Sequence, residues 1–311
     1  MEYMLISVVI VIVLLVANEY YYHIVLSETQ EYQIKNGVCG NYDRIAFGSS
    51  YGRYALSFDE KSKGFNFCVA AQFFYYTDLM LRDIVPKCLN KNGIVYIIIP
   101  DLIFAKVGKG LYGSDRYSFF LSKQIMGSEY STKDYLKYRL PLFSNRNAIK
   151  DIIKHLFNRT TSDYNIILSQ QTYQHARKKA QSRCDSWCKQ FGLKNTQSSE
   201  IPEDLQEIFS ETRKILEGMI GYCLQQNYRP VLVVTPVSKA MNDSTSDEFI
   251  QTVLLDNINK ANTFGIPVLN YLKDQRFQDI SLYCNNSDCL NATGRRMFTA
   301  LLLKDTEKFV K

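Results

Sequence analysis

Histidine is scarce in this chain, which has three among its 311 residues: His23, His155 and His175. None lies in the last third of the chain, where an α/β-hydrolase carries its histidine. A serine nucleophile is normally activated by an adjacent base, most often histidine. The sequence therefore offers no obvious Ser-His pair. Its eight cysteines match no zinc-site spacing, and we expect neither a metal nor another cofactor.

Lysine and arginine are absent from the start of the chain, and Lys35 is the first of either. Within this stretch, residues 4–17 form an apolar run without charge. With no positive n-region and no Ala-x-Ala site, the run predicts a membrane anchor over residues 1–22, with a cleaved signal peptide as the main alternative. A linker over residues 23–42 follows. Because basic residues favour the cytoplasmic side, we expect a cell-membrane protein whose domain lies outside the cytoplasm.

Strong charge is also lacking. The formal net charge is +6, with the basic residues spread along the chain, so nucleic acid is not an expected partner. Apolar residues make up 46% of the sequence, which is enough for a large packed core and gives no sign of disorder. We expect one elaborated domain over residues 43–311.

Apolar segments rich in β-branched residues alternate with helical patterns, which is typical of a parallel sheet. Right-handed crossovers predict a three-layer, doubly wound α/β domain with the flavodoxin-like strand order 2-1-3-4-5. A helical insertion over about 101–200 is expected to cover the crevice at the strands' carboxyl ends, or to dock a partner. The predicted strands are 44–47, 65–69, 94–99, 231–235 and 266–270; the predicted helices are 73–89, 147–157, 175–191, 202–226, 247–263 and one after Asn291.

Residues 48–52 read Gly-Ser-Ser-Tyr-Gly and directly follow the first predicted strand. A serine between small residues at such a strand-to-helix turn can expose its hydroxyl beside backbone N–H groups, as acyl transfer requires. Ser50 is therefore the candidate nucleophile. The alternative is a glycine-rich turn without chemistry.

Three segments carry a family resemblance. They are the early Gly-x-Ser, the run Gly-Phe-Asn-Phe-Cys-Val-Ala-Ala-Gln at 64–72, and Leu290-Asn291-x-x-Gly294 before the last helix. Together they resemble the SGNH (GDSL-like) hydrolase superfamily, in its membrane-anchored branch linked to bacterial surface polysaccharides and D-alanylation of teichoic acids. The resemblance implies a doubly wound α/β domain, a serine nucleophile at Ser50, oxyanion donors at the N–H groups of Ser50 and Ala71, and a late Asp-x-x-His pair.

The late pair departs from the family pattern. Aligned on Leu290-Asn291-x-x-Gly294, Cys289 takes the histidine position and Asn286 the aspartate position; with Asp288 as the aspartate, Asn291 takes the histidine position. The histidine is missing either way. A disulfide between Cys284 and Cys289 is a further alternative, and a histidine of the insertion, His155 or His175, is another candidate base.

Two function classes remain. The first is a serine acyl esterase or O-acyltransferase acting on an extracellular glycan or another acyl-bearing surface polymer, with Cys289, Asp288 or Asn291 orienting the proton path. The second is a non-catalytic SGNH-like protein that binds a surface glycan or a membrane acyltransferase partner in polysaccharide assembly. Ser50 favours the first class, and the missing histidine favours the second.

Overall fold

The computed structural model describes residues 2–27, 29–110, 113–157, 172–284 and 288–309. The chain forms two compact units. The N-terminal unit consists of Met1–Cys39 and Gly110–Asn165, and the sheet unit of Gly40–Lys109 and Ile166–Lys311. The insertion expected over about 101–200 is thus divided between the two units.

The sheet unit is built on five parallel strands in the order β2-β1-β3-β4-β5, which confirms the α/β class and the predicted strand order. The central strands are buried on both faces, as expected of a parallel sheet covered by helices. Ile45 of β1 pairs with Phe65 of β2 and with Val95 of β3. The strands are β1 Tyr42–Phe47, β2 Gly64–Asn66, β3 Leu89–Ile98, β4 Arg229–Val234 and β5 Val268–Asn270.

The chain after β2 stays close to β1 beyond the end of the strand. The N–H of Phe67 donates to the carbonyl of Ala46, and that of Val69 donates to the carbonyl of Gly48, both at 2.8 Å. The backbone predicted as strand up to residue 69 therefore continues to bond to β1. This pairing fixes the turn after β1 next to the turn after β2, where the resemblance places the oxyanion donors.

The helices of the sheet unit follow the predicted pattern with ends shifted by one or two residues. The helix predicted over 247–263 contains a π-helical turn, Gln251–Leu255, and ends at Ala261. The helix Tyr173–Phe191 is called the roof helix below; the others are Ser50–Ala55, Phe74–Cys88, Glu203–Gln225, Lys239–Asn242, Asp247–Ile250, Asp256–Ala261 and Ala292–Thr306.

The N-terminal unit is helical. Its first helix, Glu2–Tyr20, continues as a π-helix, Tyr21–Val25, and is called the apolar helix. It is long and apolar enough to cross a membrane and is consistent with an anchor or a signal sequence. Residues 23–42, expected to be a linker, include the helix Gln30–Gly37. The remaining helices are Tyr117–Phe120, Lys123–Met126, Thr132–Arg139, Pro141–Ser144 and Ala148–Leu156, the last called the amphipathic helix.

The end of the apolar helix is built into this unit. Asn18 is fully buried; its side-chain amide donates to the carbonyl of Arg139 at 3.3 Å, and its Oδ1 accepts from the N–H of Leu142 at 3.3 Å. Tyr21 and Val25 form a small buried core with Ala148 of the amphipathic helix. The apolar helix therefore supplies core residues as well as an apolar surface.

Candidate active site

The two glycines of the segment at 48–52 are explained by close packing. Gly48 has φ +151°, and a Cβ there would lie 2.8 Å from the Cβ of Ile98 on β3. A Cβ at Gly52 would collide with the sulfur of Cys68. Only glycine permits these approaches without rearrangement. The chain can therefore turn sharply from β1 into the helix that starts at Ser50.

Ser50 is the first residue of that helix, and Ser49 caps it. The Ser49 hydroxyl accepts from the N–H of Tyr51 at 3.4 Å. Ser49 is buried, whereas Ser50 is partly exposed. Within the described part of the chain, the structure gives the Ser50 hydroxyl no hydrogen-bond partner. The capping serine is thus structural, and Ser50 is the one with an available hydroxyl.

Ser50 opens into a cleft of ≈ 250 Å³ at the carboxyl edge of the sheet. Three turns of the sheet form its floor and walls, and the roof helix covers it. This is the crevice predicted at the switch point of the sheet. The lining residues are Ser49, Ser50 and Tyr51 after β1; Ala71, Gln72 and Phe73 after β2; Pro100, Asp101, Leu102 and Ile103 after β3; and Arg183, Trp187, Gln190 and Phe191 of the roof helix.

Ser50 and Ala71, two residues of this lining, were predicted to supply backbone donors. Neither the N–H of Ser50 nor that of Ala71 has an acceptor among the residues that the structure describes. Ala71 also has φ +57°, a left-handed conformation that costs a non-glycine residue about 1 kcal/mol or more. Strain of this kind is characteristic of functional sites. The lining thus includes a serine with an available hydroxyl and two residues whose N–H groups have no acceptor among the described residues.

The late loop reaches the same region through Asp288. The Asp288 side chain is fully buried, and its Oδ2 accepts from the Tyr51 hydroxyl at 3.2 Å. The same oxygen accepts from Nε of Arg183 at 2.8 Å and from Nη2 at 2.5 Å. Burial disfavours the charge of Arg183, but Asp288, together with Tyr51 and Cys289, outweighs this effect and raises the pKa of the guanidinium. Asp288 is therefore committed to an ion pair with the roof helix.

Cys289, also proposed for the late pair, lies outside the cleft lining. It is buried and accepts at its carbonyl from the N–H of Cys284 at 2.8 Å. The structure draws no disulfide between these two described cysteines. Asn286 lies outside the described residues.

Asn291 caps the last helix. Its Oδ1 accepts from the N–H groups of Thr293 and Gly294 at 3.0 and 3.1 Å, and its Nδ2 donates to the carbonyl of Ser281 at 2.7 Å. The Leu-Asn-x-x-Gly motif thus marks a helix start. Both polar atoms of the Asn291 side chain are occupied by these hydrogen bonds, so the side chain has a structural role.

Asp101 is the residue that sequence reasoning missed. It follows β3, lines the cleft, and is 3% exposed. Burial and the negative charge of Asp288 together raise the pKa of its carboxyl to about 6, although a hydrogen bond with Tyr51 and the charge of Arg183 act in the opposite direction. Burial likewise raises the pKa of Tyr51, which stays a neutral phenol. Its position in the sequence could have indicated this residue, because Asp101 is the first charged residue after the long apolar strand β3.

Among the described residues that line the cleft, none is a histidine. His23 and His155 belong to the N-terminal unit, where His155 hydrogen-bonds with the Tyr20 hydroxyl at 3.2 Å. His175 is exposed in the first turn of the roof helix. Over the described ranges, no group of three or more His, Cys, Asp or Glu side chains is arranged to hold a metal ion.

Comparison with known proteins gives similarity of fold alone. No protein-family model and no curated protein matches the chain. Among solved structures, a GDSL-like lipase from Bacteroides thetaiotaomicron is similar at TM-score 0.39 and 12% identity, over 86% of this chain and 88% of that one. An acylhydrolase from Bacteroides fragilis, described as putative in its name, is similar at TM-score 0.42 and 10% identity, over 93% and 98%. At these values neither likeness says anything about chemistry.

The class of the protein follows from its own structure. It is an α/β protein with a parallel sheet of order 2-1-3-4-5 and a serine at the crevice beside the carboxyl ends of β1 and β3. An N-terminal apolar helix precedes that unit in the chain.

Proposed function

We propose that the protein is a serine acyl esterase or O-acyltransferase of the SGNH type, with Ser50 as the nucleophile. The observation that supports this most directly is that Ser50 and Ala71, whose N–H groups have no acceptor among the described residues, line the same cleft. A tetrahedral intermediate formed at Ser50 needs such donors for its oxyanion, and each is worth about 2.7–4 kcal/mol of transition-state stabilisation. The strained conformation of Ala71 supports the same assignment.

Asp101 is the base in this proposal. Asp288 is held by two hydrogen bonds from Arg183, whereas Asp101 lines the cleft with Ser50 and forms no such ion pair with any residue that the structure describes. A carboxyl with a pKa of about 6 is largely ionised at neutral pH and still basic enough to accept a proton. The carboxylate of Asp288 is held in place by hydrogen bonds from Tyr51 and Arg183.

The reaction then has two balanced halves. Ser50 Oγ attacks the carbonyl carbon of an ester, and its proton passes to Asp101, directly or through one water. The oxyanion collapses, the ester bond breaks, and the leaving alkoxide takes the proton from Asp101. Water, or the hydroxyl of an acceptor sugar, next attacks the acyl-enzyme and gives its proton to Asp101, and Ser50 leaves with that proton. Water as the acceptor gives hydrolysis, and a sugar hydroxyl gives transfer.

The size of the cleft and the N-terminal helix limit the class of substrate that we expect. A volume of ≈ 250 Å³ is below the roughly 300–1,000 Å³ of sites for drug-sized ligands, so we expect a small acyl group. An anchored domain outside the cytoplasm would act on an extracellular glycan or another surface polymer, with a membrane acyltransferase as a candidate partner. Asn18 and Tyr21 are buried in the N-terminal unit, so cleavage at the end of the predicted segment 1–22 would remove part of its core. This favours an uncleaved anchor.

The test is hydrolysis of p-nitrophenyl acetate by the full chain, by Ser50→Ala and by Ser57→Ala. Ser57 is an exposed serine outside the cleft lining, so it is the matched control. We expect Ser50→Ala to lose at least a hundredfold in kcat/KM and Ser57→Ala to match the unmodified chain. Equal, measurable activity in all three proteins would disprove the assignment of Ser50.

A second candidate function rests on one observation: none of the described residues that line the cleft is a histidine. In this alternative the protein is non-catalytic and uses the crevice to bind an acylated surface glycan. All three proteins would then be inert toward the ester. Acetylated oligosaccharide would still bind, and enlarging the side chain at Ala71 would weaken that binding.

A further inference from the structure

The amphipathic helix, Ala148–Leu156, presents an unpartnered apolar face. Ile149, Ile153 and Leu156 are 71%, 50% and 63% exposed, and Phe157 directly after the helix is 74% exposed. At 3.6 residues per turn these four positions fall on one side of the helix. Large apolar residues concentrated in this way mark an interaction surface, whereas scattered ones do not. We call these four residues the apolar face.

The opposite side of the same helix packs on the C-terminal end of the apolar helix. Asp151 accepts from the Tyr21 hydroxyl at 2.9 Å, and His155 hydrogen-bonds with the Tyr20 hydroxyl at 3.2 Å. Ala148 lies in the core formed with Tyr21 and Val25. The apolar face is therefore carried by a helix that is attached to the base of the candidate membrane span.

The exposed part of the apolar helix is shorter than a bilayer's hydrocarbon core. Large apolar side chains are exposed from residue 3 to residue 16, and from Asn18 onward one side of the helix is buried in its own unit, through Asn18, Tyr21, Tyr22 and Val25. At 1.5 Å per residue the exposed part spans roughly 20 Å, less than the ~30 Å of a bilayer's hydrocarbon core. Surfaces next to residues 18–25 would therefore meet the membrane boundary, and the apolar face is such a surface.

Two lysines complete the pattern. Lys150 and Lys154 lie on the helix side between the apolar face and the packed face, by the same helical spacing. Amphipathic helices that lie in a membrane interface combine an apolar face with such basic residues, which reach the phosphate groups of lipids. The amphipathic helix is thus matched to a lipid surface in both polarity and charge.

We propose that the apolar face lies in the headgroup and upper acyl region of the membrane that the apolar helix crosses. This gives the N-terminal unit a second attachment beside its anchor. The proposal rests on the anchor part of the proposed function and is independent of Ser50 chemistry. Its occupant is lipid; a protein partner or a second copy of the chain is an outcome that the experiment distinguishes.

The test uses the full chain in vesicles of phosphatidylcholine and phosphatidylglycerol, with and without brominated acyl chains. Trp187 is the single tryptophan, so a Trp187→Phe background allows one tryptophan to be placed at a time. Val11→Trp reports on the span, Phe157→Trp on the apolar face, and Lys133→Trp on an exposed polar position of the same unit. Brominated lipid quenches only tryptophans that it contacts.

We expect brominated lipid to reduce the fluorescence of Val11→Trp and Phe157→Trp and to leave Lys133→Trp unchanged. Adding Ile153→Asp should lower the quenching of Phe157→Trp without altering that of Val11→Trp. Quenching of Val11→Trp alone, with Phe157→Trp emitting as in water, would overturn the proposal. So would blue-shifted but unquenched emission from Phe157→Trp, which would show a protein on this face. If neither position is quenched, the anchor assignment fails as well, while the Ser50 assay stands unaffected.

Discussion

Arg183 and Asp288, 105 positions apart, form an ion pair through two hydrogen bonds to a single carboxylate oxygen, at 2.8 and 2.5 Å. Arg183 belongs to the roof helix, and Asp288 to the loop before the last helix. The carboxylate is fully buried, and the Arg183 side chain is 40% exposed. The pair therefore fixes the roof helix over the cleft while placing a negative charge beside Tyr51 and Asp101.

Arg183→Gln should destabilise the sheet unit, because it leaves the buried Asp288 carboxylate without its counter-ion. Breaking a buried pair costs about 3–5 kcal/mol, and the partial exposure of Arg183 places our expectation near 2–3 kcal/mol. Urea unfolding at pH 7 measures this. Adding Asp288→Asn should restore part of the loss, since the uncompensated charge is removed. An unchanged unfolding midpoint in the single variant would show that the pair contributes nothing.

Asp101→Asn should stabilise the protein at neutral pH while abolishing activity. The folded-state pKa of Asp101, about 6, lies above the unfolded value of about 3.9. The folded state therefore binds the extra proton between these values, so this carboxyl reduces stability as pH rises through about 4 to 6. Asparagine mimics the protonated form. We expect a gain of roughly 2–3 kcal/mol at pH 7 and almost none at pH 3.5, measured by urea unfolding. A loss of stability at pH 7 would contradict the unfavourable burial of this carboxylate.

The pH dependence of esterase activity distinguishes Asp101 from Cys289 as the base. Ionisation of Asp101 predicts that kcat/KM rises through pH 6 and is level above about pH 7. An unperturbed thiol base would instead give a rise between about pH 7 and 9. Cys289→Ser should leave the profile unchanged, since Cys289 does not line the cleft. Should the rise lie at pH 7–9 and vanish in Cys289→Ser, the thiol would be the base after all.

The sheet was predictable from the sequence because its central parallel strands are buried on both faces and read as continuous apolar runs. Strand β3 shows this: its residues 94–98 are almost fully buried. The serine was predictable because it follows such a run. The contact between Arg183 and Asp288 was not predictable, because the sequence around a charged helix residue does not indicate a partner 105 positions away. Asn291 differs from Arg183 in that it belongs to a recognisable sequence motif. In the structure that motif forms a helix cap.

The last prediction concerns the N-terminus. Tyr21 and Val25 are buried with Ala148, and Arg139 donates to the Glu19 carboxylate at 2.7 Å, so the N-terminal unit needs the end of the apolar helix to fold. We expect the membrane-bound protein to keep residue 1 onward, as measured by the mass of the intact chain.

Protease added to spheroplasts should digest the part from about residue 30, because the positive-inside rule places the flank without lysine or arginine on the translocated side. Lysed cells are the control for cleavage of the same chain. A chain shortened by 17 or more residues would show a signal peptide, and full protection in spheroplasts with digestion after lysis would reverse the topology.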